Sequence, residues 1–236
     1  PSANITLISN LVNLTSSAGL GIDNINGGKP INNSKFYNNT FIDIGSRCIS
    51  LSGFGNEFIG NRFVNCTAAA ILSGQFTLVP LSGDNYYIKS NMIDIKSSTS
   101  EGIIALRGSN ITLMNNTISD FTTNANNRIK LSNVNNSYII NNTIINTSGI
   151  ALTITIDLTV SDNSDLILLS GGINNQNITI TGNKFIDARN GGMLIAGNNF
   201  TVYNNTIYPR AGTSSSGIGI IAFSLNNSNI YNNTIY

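Results

Sequence analysis

The sequence predicts an all-β protein, a right-handed single-stranded parallel β-helix (a β-solenoid) of about nine coils that occupies residues 1–236 as a single domain. Three observations predict this fold: a step centred on asparagine recurs along the chain, apolar and polar residues alternate around it, and the composition is rich in asparagine but poor in charge. Of the 236 residues, 41 are asparagine, and hydrophobic residues make up 41% against 10% charged residues. Such a chain can bury a long core while amide and hydroxyl groups keep its surface in water.

The repeating step is anchored on an asparagine that directly follows a serine, an asparagine or a glycine. The nine anchors are Asn10, Asn39, Asn61, Asn91, Asn116, Asn142, Asn183, Asn205 and Asn233. Three places before each anchor stands an apolar residue: Leu7, Phe36, Phe58, Ile88, Leu113, Ile139, Ile180, Val202 and Ile230. Two places after it stands another: Val12, Phe41, Phe63, Ile93, Ile118, Ile144, Phe185, Ile207 and Ile235. Two columns that are apolar in all nine repeats define the core of the predicted coils.

The residues around the anchors have the pattern of short strands joined by tight bends. Apolar and polar residues alternate, as in Ile178-Thr179-Ile180, which is the period of a strand with one buried face. The residue before each anchor is of a type that tolerates the left-handed backbone region, so it marks a bend. Repeats this short must stack on their neighbours to bury a face, which would place equivalent asparagines in a hydrogen-bonded ladder. The chain lacks the leucine frame of a leucine-rich horseshoe.

The charge and hydropathy patterns exclude two classes of partner. The formal net charge is only +1 and the basic residues stand singly, so the sequence does not predict nucleic-acid binding. No apolar run reaches the roughly 20 residues that a membrane-spanning helix needs. The chain begins at Pro1 and has no evident polar cap at either end, so we expect a segment of a longer rod, or a rod that stacks end to end with copies of itself.

These coils resemble a known architecture. The steps Ile139-Ile140-Asn141-Asn142-Thr143-Ile144 and Ile230-Tyr231-Asn232-Asn233-Thr234-Ile235 look like the right-handed parallel β-helix repeats of the pectate-lyase-like superfamily. The asparagine-rich, charge-poor version is most similar to the adhesin-like surface proteins of methanogenic archaea. The resemblance covers nearly the whole chain and implies the fold. It leaves the function open, because this superfamily includes lyases, hydrolases, epimerases, phage spikes and non-catalytic adhesins.

The aspartates that recur in the repeat do not have the pattern of catalytic acids for polysaccharide cleavage. Hydrolases of this type use clustered aspartates from adjacent coils, one as acid and one to activate water. Here Asp43, Asp120 and Asp187 stand four places after an anchor, where Asn65 and Asn146 also occur. Because asparagine cannot replace a catalytic acid, this column is predicted to make bends. The chain has no histidine, which excludes nucleophilic catalysis that depends on it. No catalytic residue is therefore predicted.

One acidic stretch could hold a cation. Asp157, Asp162 and Asp165 lie close together in an excursion from the coil, and their oxygens could wrap calcium. The stretch lacks the full spacing of an EF-hand loop, so a plain polar loop is the alternative. Calcium is the one cofactor that the sequence suggests. The excursions Gln75 to Leu81 and Thr153 to Ser170 are where function would be expected on a rigid scaffold.

The two cysteines, Cys48 and Cys66, are too few for a disulfide framework or a zinc site. Aligning Leu51-Ser52-Gly53 with Leu72-Ser73-Gly74 puts them in neighbouring coils but three residues out of column. At the spacing of a strand this is about 10 Å, beyond the reach of a disulfide unless the corner folds back. We expect two free, buried thiols.

Surface residues give the best candidates for function. Tyrosines off the core columns, namely Tyr37, Tyr86, Tyr87, Tyr203 and Tyr231, could form a strip on which sugars stack. Tyr37, Tyr203 and Tyr231 share one column, two places before an anchor, and are the predicted carbohydrate-binding residues. Glycans are predicted on sequons such as those of Asn4, Asn65, Asn110, Asn177 and Asn199.

Together these features predict an extracellular, non-catalytic adhesin or structural module of a cell envelope that binds cell-surface or extracellular glycans. The alternative is a polysaccharide lyase or glycoside hydrolase of the pectate-lyase-like superfamily.

Overall fold

The structure, a computed structural model, describes residues 4–15, 31–45, 48–51, 53–66, 70–73, 85–95, 104–120, 129–145, 150–155, 175–188, 191–209 and 219–236. All of the regular structure in these ranges is β. The strands, in chain order, are β1 (Thr6–Ile8), β2 (Leu11–Thr15), β3 (Lys35–Tyr37), β4 (Thr40–Ile44), β5 (Ile49–Leu51), β6 (Glu57–Ile59), β7 (Arg62–Val64), β8 (Ile71–Ser73), β9 (Tyr87–Lys89), β10 (Met92–Ile95), β11 (Ile104–Ser109), β12 (Thr112–Met114), β13 (Thr117–Asp120), β14 (Ile129–Ile140), β15 (Thr143–Ile145), β16 (Ile150–Thr155), β17 (Gln176–Thr181), β18 (Lys184–Ala188), β19 (Gly191–Tyr203), β20 (Thr206–Pro209), β21 (Ile220–Asn226), β22 (Asn229–Tyr231) and β23 (Thr234–Ile235).

The strands form the predicted right-handed parallel β-helix, in which every pair is parallel and joins neighbouring coils. The strands that follow the anchors make a nine-stranded sheet in the order β2-β4-β7-β10-β13-β15-β18-β20-β23. The remaining strands make a 14-stranded sheet, which is continuous because β14 and β19 run around a corner. β19 contains Gly197 at this corner, where an added Cβ atom would lie 2.4 Å from the Asn175 carbonyl oxygen.

The two apolar columns of the repeat form the core, as predicted, in the coils from Phe36 to Ile207; Leu7 and Val12 are partly buried, and Ile230 and Ile235 are exposed. Phe36 pairs with Phe58 and Phe41 pairs with Phe63, and all four rings are fully buried. The first two rings stack with centroids 4.9 Å apart and the second two with centroids 5.0 Å apart. In-register pairing therefore places each core side chain on the equivalent side chain of the next coil, and these contacts between equivalent residues make up the core packing.

The predicted bends are present at all nine anchors. The residue before each anchor has a positive φ of 52° to 67°: Ser9, Asn38, Gly60, Ser90, Asn115, Asn141, Gly182, Asn204 and Asn232. This region is costly for most residues with a Cβ atom but accessible to glycine and asparagine. The bend turns the chain from the 14-stranded sheet into the nine-stranded sheet.

The anchors themselves form the predicted ladder, here called the inner ladder. From Asn10 to Asn233, each side-chain Nδ2 donates to the Oδ1 of the next anchor at 2.9–3.1 Å. Asn39, Asn61, Asn91, Asn116, Asn142, Asn183 and Asn205 are each at most 2% exposed. The ladder satisfies amide groups that would otherwise be buried without partners.

A second bend, which the sequence analysis missed, lies six places before the anchors. Its residues also have positive φ, between 49° and 69°: Asn33, Gly55, Asn85, Asn110, Asn136, Asn177, Asn199 and Asn227. These asparagines are exposed. Three of their amides are linked between neighbours, Asn110 to Asn85, Asn177 to Asn136 and Asn199 to Asn177, at 2.9–3.1 Å. We call this column the outer ladder.

The prediction of two free thiols was wrong. Cys48 and Cys66 form a disulfide with Cα atoms 5.7 Å apart, and both residues are fully buried. The strands pair Ile49 with Ile71, an offset of 22 residues rather than the 21 that aligning Leu-Ser-Gly sequences gave. This offset alone would put the cysteines four residues out of column. However, β4 ends at Ile44 in the nine-stranded sheet and β5 begins at Ile49 in the 14-stranded sheet, so a distance measured along a straight strand does not apply.

Candidate functional site

The predicted carbohydrate-binding residues lie on one flat surface, the outer side of the strands that lead into the anchors. We call this surface the tyrosine face; it has two columns of outward side chains. The column two places before the anchors runs Ile8, Tyr37, Ile59, Lys89, Met114, Ile140, Thr181, Tyr203, Tyr231. The column four places before runs Thr6, Lys35, Glu57, Tyr87, Thr112, Tyr138, Thr179, Thr201, Asn229. Only three of these side chains are charged.

Tyr203 and Tyr231 come together as predicted. They are partners in the register of β19 and β22, and their rings stack with centroids 5.2 Å apart and planes 5° apart. Tyr231 is 47% exposed. The opposite face of the Tyr203 ring borders Thr181, a short side chain in the preceding coil. This pair is a rigid aromatic ledge on the tyrosine face.

Tyr37 does not join that pair. Its neighbours in the column are Ile8 and Ile59, and six coil steps of about 4.8 Å place it some 29 Å from Tyr203. Its hydroxyl donates to Glu57 Oε2. This hydrogen bond, with burial and the negative charge of Glu57, raises the pKa of Tyr37 to about 12. Tyr37 is therefore held by a local polar contact and stands apart from the ledge.

Tyr86 was wrongly placed on the surface by the sequence analysis. It is 1% exposed, its ring stacks on Phe58 with centroids 6.2 Å apart, and its hydroxyl accepts a hydrogen bond from Asn56 Nδ2 at 3.2 Å. Its column, five places before the anchors, points inward but also contains Ser34 and Ser137, both buried. Because the types in this column are mixed, no apolar periodicity marks it as core.

The structure adds a second tyrosine pair that sequence reasoning missed. Tyr208 and Tyr236 stack with centroids 4.5 Å apart, and Lys184 Nζ lies 5.6 Å from the centre of the Tyr208 ring. A hydrogen bond with Tyr208 raises the pKa of the Tyr236 phenol. This pair lies on the nine-stranded sheet, around the bend from Tyr203. Its only sequence signal is the repeated Thr-Ile-Tyr step at residues 206–208 and 234–236.

The aspartate column is a bend, as predicted, at two of its three aspartates. Asp43 and Asp187 have φ values of 53° and 59°, and Asn65, with a φ of 55°, donates from Nδ2 to Asp43 Oδ1 at 2.8 Å. Asp120 is the last residue of β13. The described ranges contain no group of three or more acidic, histidine or cysteine residues that could hold a metal ion.

Other predictions lie outside the part of the chain that the structure describes. These are the calcium candidates Asp157, Asp162 and Asp165 and the excursion from Gln75 to Leu81; the excursion from Thr153 to Ser170 is described only as far as residue 155. Calcium binding therefore stays a prediction.

The predicted glycosylation sites fall into two environments. Asn4, Asn110, Asn177 and Asn199 are exposed and belong to the column of the outer ladder. Asn110, Asn177 and Asn199 each donate one hydrogen atom within the ladder and keep a second on Nδ2, the atom that carries an N-linked glycan. Asn65 is half-buried, bonds Asp43 and directly precedes the buried disulfide. The exposed asparagines are therefore better candidates for N-linked glycosylation than Asn65 is.

Comparisons with known proteins address the fold. A family model described as "Right handed beta helix region" matches residues 81–235, about two thirds of the chain. No curated protein matches the chain in sequence. Among solved structures, QnrB1, described as a plasmid-mediated fluoroquinolone resistance protein, aligns at 11% identity over 98% of this chain and 92% of that one, with a TM-score of 0.32. A TM-score this low supports no inference. Within the described ranges, no helix is long and apolar enough to cross a membrane.

Proposed function

This chain belongs to the right-handed β-helix family, and on that premise we propose that it is a non-catalytic, extracellular glycan-binding or cell-envelope module. The family premise alone does not decide the function, because this region occurs in pectate-lyase-like enzymes and in adhesin-type proteins. The observation that carries the proposal is the tyrosine face: a flat, weakly charged surface with exposed aromatic rings. The closer resemblance, to asparagine-rich adhesin-like proteins of archaeal surfaces, belongs to this proposal.

The chemistry of the tyrosine face suits a sugar ligand. Tyrosine rings present apolar faces to the C–H groups of a sugar, and neighbouring hydroxyl and amide groups bond its oxygens. Tyr203 and Tyr231 supply the rings, and Thr181 and Thr201 lie beside them in the register of the sheet. The low charge favours a neutral ligand over an anionic one.

The cysteines support an extracellular location. The disulfide between Cys48 and Cys66 is of a kind that forms and persists in oxidising compartments. The exposed sequons of the outer ladder are consistent with a secreted protein, since N-linked glycans occur on the surfaces of such proteins. End-to-end stacking of copies stays a prediction, which light scattering against concentration would test.

A glycan array tests the proposal directly. We expect the wild-type protein to retain neutral glycans, and a Tyr203→Ala/Tyr231→Ala double variant to bind them roughly tenfold or more weakly, since each stacked ring contributes about 1 kcal/mol or more. Tyr37→Ala is the matched control, because Tyr37 shares the column but stands apart, and it should bind as the wild type does. Equal binding by all three proteins would argue against this surface.

The enzyme alternative has its own test. The protein would be incubated with pectate-like and neutral polysaccharides, with and without calcium, and the release of unsaturated or reducing ends would be measured. We expect no turnover. Turnover that is lost on replacing a single aspartate would overturn the non-catalytic proposal and favour a lyase or hydrolase.

A further inference from the structure

We propose a second sugar site on the tyrosine face, a slot that receives one pyranose ring between Tyr87 and Tyr138. This inference rests on the proposed glycan-binding function and names where, and in what form, a ligand is held. The two tyrosines are both register partners of Thr112, one in the preceding coil and one in the following coil. Thr112 therefore forms the floor of a gap one coil wide between two aromatic walls.

The walls of the slot stand free. Tyr138 is 49% exposed and Tyr87 is half-buried. Among the described residues, neither ring is stacked on another ring, in contrast to Tyr203 on Tyr231 and Tyr208 on Tyr236. The far side of Tyr138 borders Thr179, which is equally short, so no bulky neighbour presses this ring over the gap.

The width of the gap admits a single sugar ring. Two coil steps set the walls about 9.6 Å apart. A flat aromatic ring between two others at van der Waals distance would need only about 7–8 Å. A pyranose chair is thicker, because axial hydrogens project from both of its faces. The spacing therefore leaves room for a saturated sugar ring, with C–H groups against both tyrosines. An aromatic side chain at position 112 would fill the same room, because ring pairs in this fold stack at one-coil spacing.

Two amide groups lie at the bend that precedes the gap, Asn110 two residues before Thr112 and Asn136 two residues before Tyr138. The outer ladder has a break here: Asn110 donates to Asn85 and Asn177 donates to Asn136, but within the described residues no hydrogen bond joins Asn110 to Asn136. The Oδ1 of Asn110 is thus free to accept, and the Nδ2 of Asn136 is free to donate. With the Thr112 hydroxyl on the floor, these groups match the hydroxyls of a neutral hexose.

Filling the slot is the sharpest test. Thr112→Tyr would place a third ring between the two walls, and tyrosines stacked at one-coil spacing already occur in this fold at Tyr203 and Tyr231. The control is Thr6→Tyr, the same substitution in the same column at the far end of the tyrosine face. The probes are neutral oligosaccharides of glucose, mannose and galactose. Binding would be followed by tyrosine fluorescence, since the chain has no tryptophan.

In the Tyr203→Ala/Tyr231→Ala background, which removes the ledge, we expect Thr112→Tyr to weaken the remaining binding at least roughly tenfold, Tyr138→Ala to weaken it similarly by removing a wall, and Thr6→Tyr to leave it unchanged. In saturation-transfer NMR, irradiating the tyrosine protons should saturate axial protons on both faces of the sugar ring. A sugar bound to the ledge of Tyr203 and Tyr231 would show saturation on one face only. Circular dichroism and thermal melts would verify that each variant is folded.

The outcomes separate the two proposals. If Thr112→Tyr in that background binds as strongly as the background itself does, or if only one face of the sugar is saturated, the slot is overturned. If binding then depends on Tyr203 and Tyr231, the proposed function survives without the slot. If the wild type binds none of the glycans, both proposals fall.

Discussion

The inner and outer ladders use the same amino acid at two bends of the same coil, yet their physical roles differ. Asn116 of the inner ladder makes four side-chain hydrogen bonds: its Nδ2 donates to the Ile88 carbonyl and to Asn142 Oδ1, and its Oδ1 accepts from the backbone and the side chain of Asn91. Asn110 of the outer ladder makes one, from Nδ2 to Asn85 Oδ1. Burial turns an amide into a structural cross-link, and exposure leaves the same amide available to solvent and ligands.

The largest expected effect is at the inner ladder. Asn116→Ala removes four hydrogen bonds and takes away the partner of the buried Asn91 backbone N–H and of the Ile88 carbonyl, which should lower the free energy of unfolding by about 4 kcal/mol. Chemical denaturation would measure this. A loss below about 1 kcal/mol would mean that the inner ladder contributes no more than the outer one.

The next largest effect is expected at the buried disulfide, and it tests whether the disulfide stabilises the fold in addition to the inner ladder. Replacing Cys48 and Cys66 together by alanine opens a loop with a sequence separation of 18, which should cost about 3 kcal/mol. The melting temperature of the double variant should match that of the reduced wild type. If reduction leaves the wild-type melt unchanged, the two coils are already fixed by their stacked side chains.

A much smaller effect is expected at the outer ladder. Asn110→Gly keeps the positive φ of the bend and removes only the bond to Asn85, so it should change the unfolding free energy by less than about 1 kcal/mol. Gly55 already occupies this column between Asn33 and Asn85. The same denaturation experiment applies, and a loss as large as that of Asn116→Ala would erase the distinction between the ladders.

The smallest effect concerns a surface contact of the tyrosine face. Because the hydrogen bond to Glu57 raises the pKa of Tyr37 from about 10 to about 12, the protonated phenol is favoured in the folded state. Its contribution to stability is complete below pH 10 and is lost as the pH rises through 12. The difference in phenolate absorbance between the wild type and Tyr37→Phe isolates this titration, and Glu57→Ala should move it back toward the ordinary value.

The sequence predicted those parts of the coil that repeat in chemical type. Anchors, core columns and the first bend recur as amides, apolar residues and small residues, so their roles follow from pattern alone. Asparagine also stands six places before eight of the nine anchors, at the second bend, but an exposed polar column has no apolar periodicity that would mark it as structural. The disulfide and buried Tyr86 depend on corner geometry, and a strand period carries no information about corners. The slot needs the register of three coils at once, which only the strand pairing supplies.

In-register stacking also makes the molecule modular in length. Asn91 contacts Asn116 through the same bonds by which Asn116 contacts Asn142, so the interface left after removing residues 92–116 would be chemically equivalent to the one lost. Duplication or deletion of one coil changes the reach of the rod by a single step of about 4.8 Å. Evolution can therefore lengthen or shorten such a solenoid by recombination at any anchor, because each new interface between coils repeats an existing one.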